Sequence, residues 1–318
     1  MSKIAAFYYT QSGQGLNILR SVCRPLEDAG HQVVYKAIVP ETEFPFPWTA
    51  DAFFQTFPES YGGVACSLRS IDLSDVEDAA QVIVEYPVWF LSPSIPTHGF
   101  FQTPAIRQFL KDKNIITIGN CRNMWVKAHT AVNEYITGCG GKPAGSIVLQ
   151  DRHHNLISVI TIVRWLIHGH KEKKGLFPAA GVSPEDIASA AVFGRIINEA
   201  ILSGDFSGQL QQKLIQNGAI RYKPSIVFIE KTGYRIFGLW LKFILRKGDD
   251  DGKKRAFRLK LFKYYLFAVL YLVSPVGMVI FYLTYPFRYK TIQKDKRKQC
   301  YLLFFSMGHP KNKKLSGN

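Results

Sequence analysis

Over its first two hundred residues the chain alternates short apolar runs with stretches whose apolar positions recur at helical spacing. Residues 4–9 read as a buried strand, and Leu16, Leu19, Val22, Cys23 and Leu26 then share one helical face. Further strands are expected at 31–38, 81–86, 115–119 and 146–149, with helices over 103–110 and 126–137, the second ended by Gly138. This alternation predicts an α/β fold with a doubly wound, five-stranded parallel sheet. Residues 40–48, with Pro45 and Pro47 among Phe44, Phe46 and Trp48, read as an extended loop because proline cannot continue a ladder. Beyond the fifth strand, 156–168 forms a mostly apolar helix, and Ser183-Pro184-Glu185-Asp186 caps a helix expected to reach about residue 202.

Three loops follow the carboxyl ends of expected strands, the rim where open parallel sheets bind ligands. The first is Thr10-Gln11-Ser12-Gly13-Gln14-Gly15, between strand one and its helix. Its hydroxyls and backbone N–H groups converge beside the positive end of a helix and suit a phosphomonoester. No Lys follows the glycines and Ile occupies position 18, so neither the nucleotide-triphosphate loop nor the dinucleotide fingerprint is present. The others are Pro87-Val88-Trp89-Phe90-Leu91 and Asn120-Cys121-Arg122-Asn123-Met124-Trp125. Together the loops resemble those of flavodoxin-like proteins. The resemblance implies FMN as cofactor, with Thr10, Gln11, Ser12, Gly13 and Gln14 at the phosphate and Pro87, Val88, Trp89, Phe90, Asn120, Cys121, Arg122 and Trp125 around the ring. Gly15 departs from the pattern, which carries a Thr there.

Charge divides the chain. Residues 1–220 carry 18 basic and 19 acidic side chains, whereas 221–318 carry 22 and 5, so the whole net charge of +16 belongs to the last third. That third also holds 24 consecutive uncharged residues, 264–287, between basic flanks. About 20 apolar residues suffice to cross a bilayer. A nucleic-acid surface would spread charge and gain nothing from such a block, so membrane association is the reading. Ser274-Pro275-Val276-Gly277 at its centre leaves a single span and a dip into one leaflet both open, and the basic flanks suit an anionic cytoplasmic surface. Residues 234–245 resemble an interfacial amphipathic helix. The expected organisation is a cofactor domain at 1–205, a basic amphipathic linker at 206–260, a transmembrane or re-entrant segment at 261–290 and a basic tail at 291–318. Because residues 1–220 contain every expected strand, a chain ending near Gly218 is expected to fold and hold the cofactor alone. Five cysteines without CxxC spacing suggest a reducing compartment, with neither a disulfide framework nor a metal site. The expected location is the cytoplasmic face of the inner (cell) membrane.

Asp151-Arg152-His153-His154-Asn155 follows the fifth strand, so His153 or His154 is expected on the ligand rim as a proton-transfer residue whose ordinary pKa is near neutrality. Phe44 to Trp48, Trp89 to Pro96, Cys121 to Trp125 and Asp151 to Ser158 are similar to proteins of the dialkylresorcinol condensing enzyme family over about residues 1–205. That resemblance implies aromatisation of a lipidic cyclohexanedione to a resorcinol, with a ketosynthase as pathway partner making the carbon–carbon bonds. Alternatives on the same scaffold are a membrane-bound NAD(P)H:quinone or flavin reductase, and a non-catalytic electron carrier or scaffold.

Overall fold

The computed structural model describes residues 1–206, 208–246 and 252–301. Its centre is a parallel sheet of β1 (Lys3–Tyr8), β2 (Gln32–Ala37), β3 (Gln81–Trp89), β4 (Asn114–Cys121) and β5 (Lys142–Gln150), in the order β2-β1-β3-β4-β5. This is the flavodoxin-like doubly wound order. Strand β1 pairs β2 with Lys3 opposite Gln32 and β3 with Ile4 opposite Gln81. The crossovers from β1 therefore diverge to either side, and the crevice opens at the carboxyl ends of β1 and β3. Both sheet faces are covered, so the strands read as unbroken apolar runs rather than alternating ones.

On one face α1 (Gln14–Asp28), α8 (Pro184–Ser189), α9 (Ala191–Ser203) and α10 (Gly208–Gln216) surround Ile4, Ala6, Ile83, Ile116, Ile118 and Ile147. The helix expected from Ser183 to about 202 is thus two helices, broken at Ala190. Ser183 caps the first by accepting from the Asp186 N–H. Gly194 lets α9 approach α1, since a Cβ there would strike the Val22 carbonyl oxygen. The opposite face packs Ala5, Phe7, Val82 and Val84 against α4 (Ile95–Gln102), α5 (Pro104–Leu110) and α6 (Val126–Gly138). Strand β3 runs three residues past the expected end at Tyr86, because Val88 and Trp89 pair antiparallel with Ser92–Pro93. The reversal places Phe90 and Leu91 at φ 46 and 65, the left-handed conformation that both central residues of a type I′ turn require.

Two short helices, α2 (Ala50–Gln55) and α3 (Phe57–Gly62), follow the proline loop, and α7 (Asn155–His168) follows β5. The last third is α11 (Pro224–Ile244), α12 (Lys253–Ala268), a π-helical turn at Val269–Val273, and α13 (Ser274–Cys300). It packs on the body at two places. The Phe262 ring stacks on Phe57 with centroids 3.9 Å apart, and Phe57, Phe237, Ile244 and Leu259 are buried in the same cluster. At the far end Cys300 and Val227 bury Trp125 and Val148, and the Cys300 carbonyl accepts from Gln211 Nε2 at 3.2 Å. These contacts cover apolar surface that a chain ending near Gly218 would expose. Pro275 directly follows the π-helical turn inside this continuous helix, and the chain stays helical through Ser274–Gly277. Lys253–Cys300 is the one helix among the described residues long and apolar enough to cross a membrane. Of the basic tail expected at 291–318, the part beyond Tyr301 lies outside the described residues, as do 207 and 247–251 of the linker.

Candidate active site

The loop after β1 opens the site. Gly13, at φ 81, turns the chain into α1 without any side-chain cap, so the first N–H groups of the helix point into the crevice. The resulting cleft encloses about 980 Å³, open mouth included, and is lined on that side by Thr10, Gln11, Ser12, Gln14 and Gly15. Pro87, Val88, Trp89, Phe90, Asn120, Cys121 and Arg122 form the opposite wall.

Several expected contact residues are already engaged. Gln11 Nε2 donates to the Phe44 and Pro45 carbonyls at 3.3 and 3.2 Å and ties the proline loop to the site. Gln14 clasps Val182, Nε2 donating to its carbonyl and Oε1 accepting from its N–H, both at 3.2 Å. Asn120 donates to the Glu85 carboxylate. Thr10 and Ser12, backbone N–H groups and the end of α1 remain as the free donor set.

Two expected features are displaced. Trp125 does not reach the cleft; it is buried between α6 and the last helices, edge-on to His129. Neither His153 nor His154 lines it. Asp151 folds back by donating its N–H to the Cys121 carbonyl, and its Oδ1 holds His153 Nδ1 at 2.7 Å, while His154 begins α7 with an exposed side chain. The His153 imidazole thus faces its own loop, and that of His154 is exposed to solvent. Replacing His153 by Gln should change any turnover in the cleft by less than about tenfold, against the 10²–10⁴-fold loss expected of a direct general base. Rapid-mixing rates of the variant test this, and a larger loss returns the histidine to the reaction.

The sequence did not reveal the other aromatic wall. Phe46 from the proline loop, Phe53 from α2, and Ile162, Trp165 and Leu166 from α7 complete the cleft, with Phe46 packed edge-on against Trp165. Gly181 is required beside them, because a Cβ would lie 2.7 Å from the Trp165 ring. The signal was present in the mostly apolar character of α7, directly after a rim loop.

A second cleft of about 1220 Å³, mouth included, adjoins the first. The two share Phe53, Val88, Phe90, Cys121, Arg122, Ile162 and Leu166. Its remaining lining is almost wholly apolar and includes Leu266, Phe267, Val269 and Leu270 of the last helices.

Two ionisable groups, one buried and one half-buried, flank this system. The Glu85 carboxyl lies under Gly15, where a Cβ would fall inside its van der Waals envelope; this explains why no Thr occupies that position. Burial pushes Glu85 up to about 8, and its Oε2 has no hydrogen-bond partner. Arg122 Nη1 donates to Asn155 Oδ1 at 2.7 Å, to the Asn155 carbonyl and to Ser158 Oγ, all neutral, and burial lowers its pKa to about 10. The Cys121 thiol is pushed far up by burial, so it is no thiolate near neutrality.

No protein-family model matches the chain, and no curated protein matches it. Among solved structures it is similar to an archaeal flavodoxin, at 11% identity over 63% of this chain and 99% of that one, with a TM-score of 0.38. It is also similar to a flavoprotein in complex with FMN from Lactobacillus acidophilus NCFM, at 14% identity over 47% and 91% of the two chains and a TM-score of 0.36. A third likeness is to oxidised flavodoxin 1 from Bacillus cereus, at 11% identity over 61% and 95%, with a TM-score of 0.35. The fold assignment rests on the strand order and crossovers described above.

Proposed function

We propose that this chain is an FMN-dependent oxidoreductase that aromatises a lipidic cyclohexane-1,3-dione to a dialkylresorcinol at a membrane surface. The observation that carries this reading is the wall shared between a phosphate-loop cleft and an apolar cleft. An electron carrier has no use for an internal apolar chamber against its ring site, whereas an enzyme with a greasy substrate does.

The residues fit FMN. Thr10, Ser12, the loop N–H groups and the amino end of α1 offer neutral donors and a helix dipole to a terminal phosphate. Trp89, Phe46 and Trp165 give the cleft aromatic sides suited to a flat ring. Bound there, FMN would supply the two-electron acceptor that a dione-to-resorcinol conversion requires, since that conversion removes two hydrogens. Phe53, Val88, Phe90, Ile162 and Leu166 hold the substrate ring against the same site and exclude water. The remaining proton leaves through the cleft mouth to solvent.

The exposed apolar face of the last helices, Tyr271, Leu272, Val273, Val276, Val279, Ile280, Leu283 and Phe287, supports membrane attachment. Both ends of Lys253–Cys300 are anchored on the body, so only ten residues, 271–280, lie between Leu270 in the cleft wall and buried Phe281. At 1.5 Å per residue that is about 15 Å, half a bilayer core of about 30 Å. The reading is therefore attachment to one leaflet, with the basic flanks on anionic cytoplasmic headgroups and a ketosynthase supplying the dione.

Anaerobic mixing of the full chain with an alkyl-cyclohexane-1,3-dione should bleach the flavin, and NAD(P)H should not. Bleaching by NAD(P)H alone would instead favour a quinone or flavin reductase. Gly13→Glu, which places a carboxylate and a strained φ at the phosphate loop, should leave protein without FMN; retention of stoichiometric FMN, read from the absorbance spectrum, would remove the phosphate site from this loop.

A further inference from the structure

We propose that Arg122 binds the anionic head of an amphiphilic substrate whose alkyl tail fills the apolar second cleft, which is loaded from the membrane through the wall formed by Leu266, Phe267, Val269 and Leu270. The inference rests on the functional reading above and specifies how the substrate is recognised and where it enters.

Arg122 stands in the wall shared by the two clefts. Its Nη1 is fixed by Asn155 and Ser158, and Asn155 Oδ1 is itself held by Asn123 Nδ2 at 2.7 Å. These bonds orient the guanidinium without neutralising it. No carboxylate among the described residues lies within ion-pair distance, and Nη2 and Nε have no described partner. Asp151, whose charge it feels, lies beyond ion-pair distance and turns its Oδ1 to the His153 N–H and Nδ1. A half-buried cation whose direct partners are all neutral gains most when an anion arrives with good geometry.

The space around it defines the rest of the ligand. Val159, Ile162, Val163, Leu166, Ile229 and Phe237 line the cleft, with Gly233 leaving room between α11 and the β3 turn. One oriented cation in the wall of an otherwise mostly apolar chamber fits one negative charge on an alkyl chain. A cyclic 1,3-dione is a vinylogous acid, ionised near neutrality, and has this form. The chamber wall adjoins the exposed apolar face: Leu270 lines it, and Leu272 and Val273 beside it are exposed. That wall contains the π-helical turn, an irregularity that frequently marks functional sites.

Full-length, FMN-loaded protein in detergent micelles is titrated calorimetrically with tridecyl-cyclohexane-1,3-dione and with its neutral O-methyl enol ether. The wild type should bind the ionised dione about 10- to 100-fold more tightly than the ether, as expected of a charge-assisted hydrogen bond. Arg122→Gln, titrated after FMN reconstitution, should reduce that ratio to within about threefold. Leu270→Trp should weaken the tridecyl compound and spare 5-methyl-cyclohexane-1,3-dione; Val163→Phe serves if the first variant does not fold. Equal binding of dione and ether by the wild type, a ratio unchanged in Arg122→Gln, or tail variants that affect both lengths alike would overturn the proposal. If the diones bind in the expected pattern but leave the flavin oxidised, the head-group site stands and the aromatase reading falls.

Discussion

A chain cut after Gly218 will be insoluble or will melt far below the full-length protein. The cut removes Phe237, Leu259 and Phe262 from above Phe54 and Phe57, and Val227 and Cys300 from above Trp125, Val126 and Val148. Re-exposing five such side chains at roughly 2 kcal/mol each costs about 10 kcal/mol, comparable with the whole stability of a typical domain. The cut also deletes Glu230, whose Oε1 accepts from the Lys127 N–H at 2.7 Å at the start of α6, a carboxylate on the positive end of a helix. Solubility and thermal melts of the two forms check this. A monomeric truncated protein melting within a few degrees of the full chain would make the last third an appendage after all.

That result would separate what the sequence shows from what it hides. The five strands were legible because both sheet faces are covered, which leaves continuous runs such as Val82-Ile83-Val84, and the loop at Thr10 to Gly15 was legible because its residue types fit one geometry. The last third was legible only in part, because an uncharged run of sufficient length reads as membrane-seeking whether or not one of its faces is packed. Phe262 and Phe281 are buried while Leu272 and Leu283 are exposed, a distinction that composition does not carry. Trp125 looked like a ring-flanking residue from its place after β4, yet the cover supplied by Val227 and Cys300 draws it into a core. Trp165, Phe46 and Phe53 were missed for the converse reason. They reach the cleft from elements far apart in the chain, and only the fold brings them together. Glu85 was the signal passed over: a lone carboxylate inside an apolar strand run is a buried charge awaiting explanation.

Replacing that carboxylate should stabilise the protein, and the gain should depend on pH. The folded-state pKa of Glu85 is raised from 4.5 to about 8, first by burial, against the opposing hydrogen bonds from Asn120 and the Tyr9 N–H. Below pH 4.5 both folded and unfolded chains are protonated, and the group costs nothing. Between 4.5 and about 8 the unfolded chain releases the proton and the folded chain keeps it, so stability falls by about 1.4 kcal/mol per pH unit, reaching roughly 3 kcal/mol at pH 7. Above pH 8 both states are ionised and the penalty levels off. Glu85→Gln preserves an oxygen for Asn120 and removes the titration. Denaturant unfolding should therefore find the variant equal to wild type near pH 4 and more stable by roughly 3 kcal/mol at pH 7. A carboxylate kept at such a cost beneath Gly15 also couples to the ligand. If a phosphate sits on the loop above it, ionisation of Glu85 opposes binding, so FMN affinity should weaken as pH rises through about 8 in the wild type and stay flat in Glu85→Gln. Identical pH profiles for the two proteins would show that the carboxylate and the phosphate loop do not communicate.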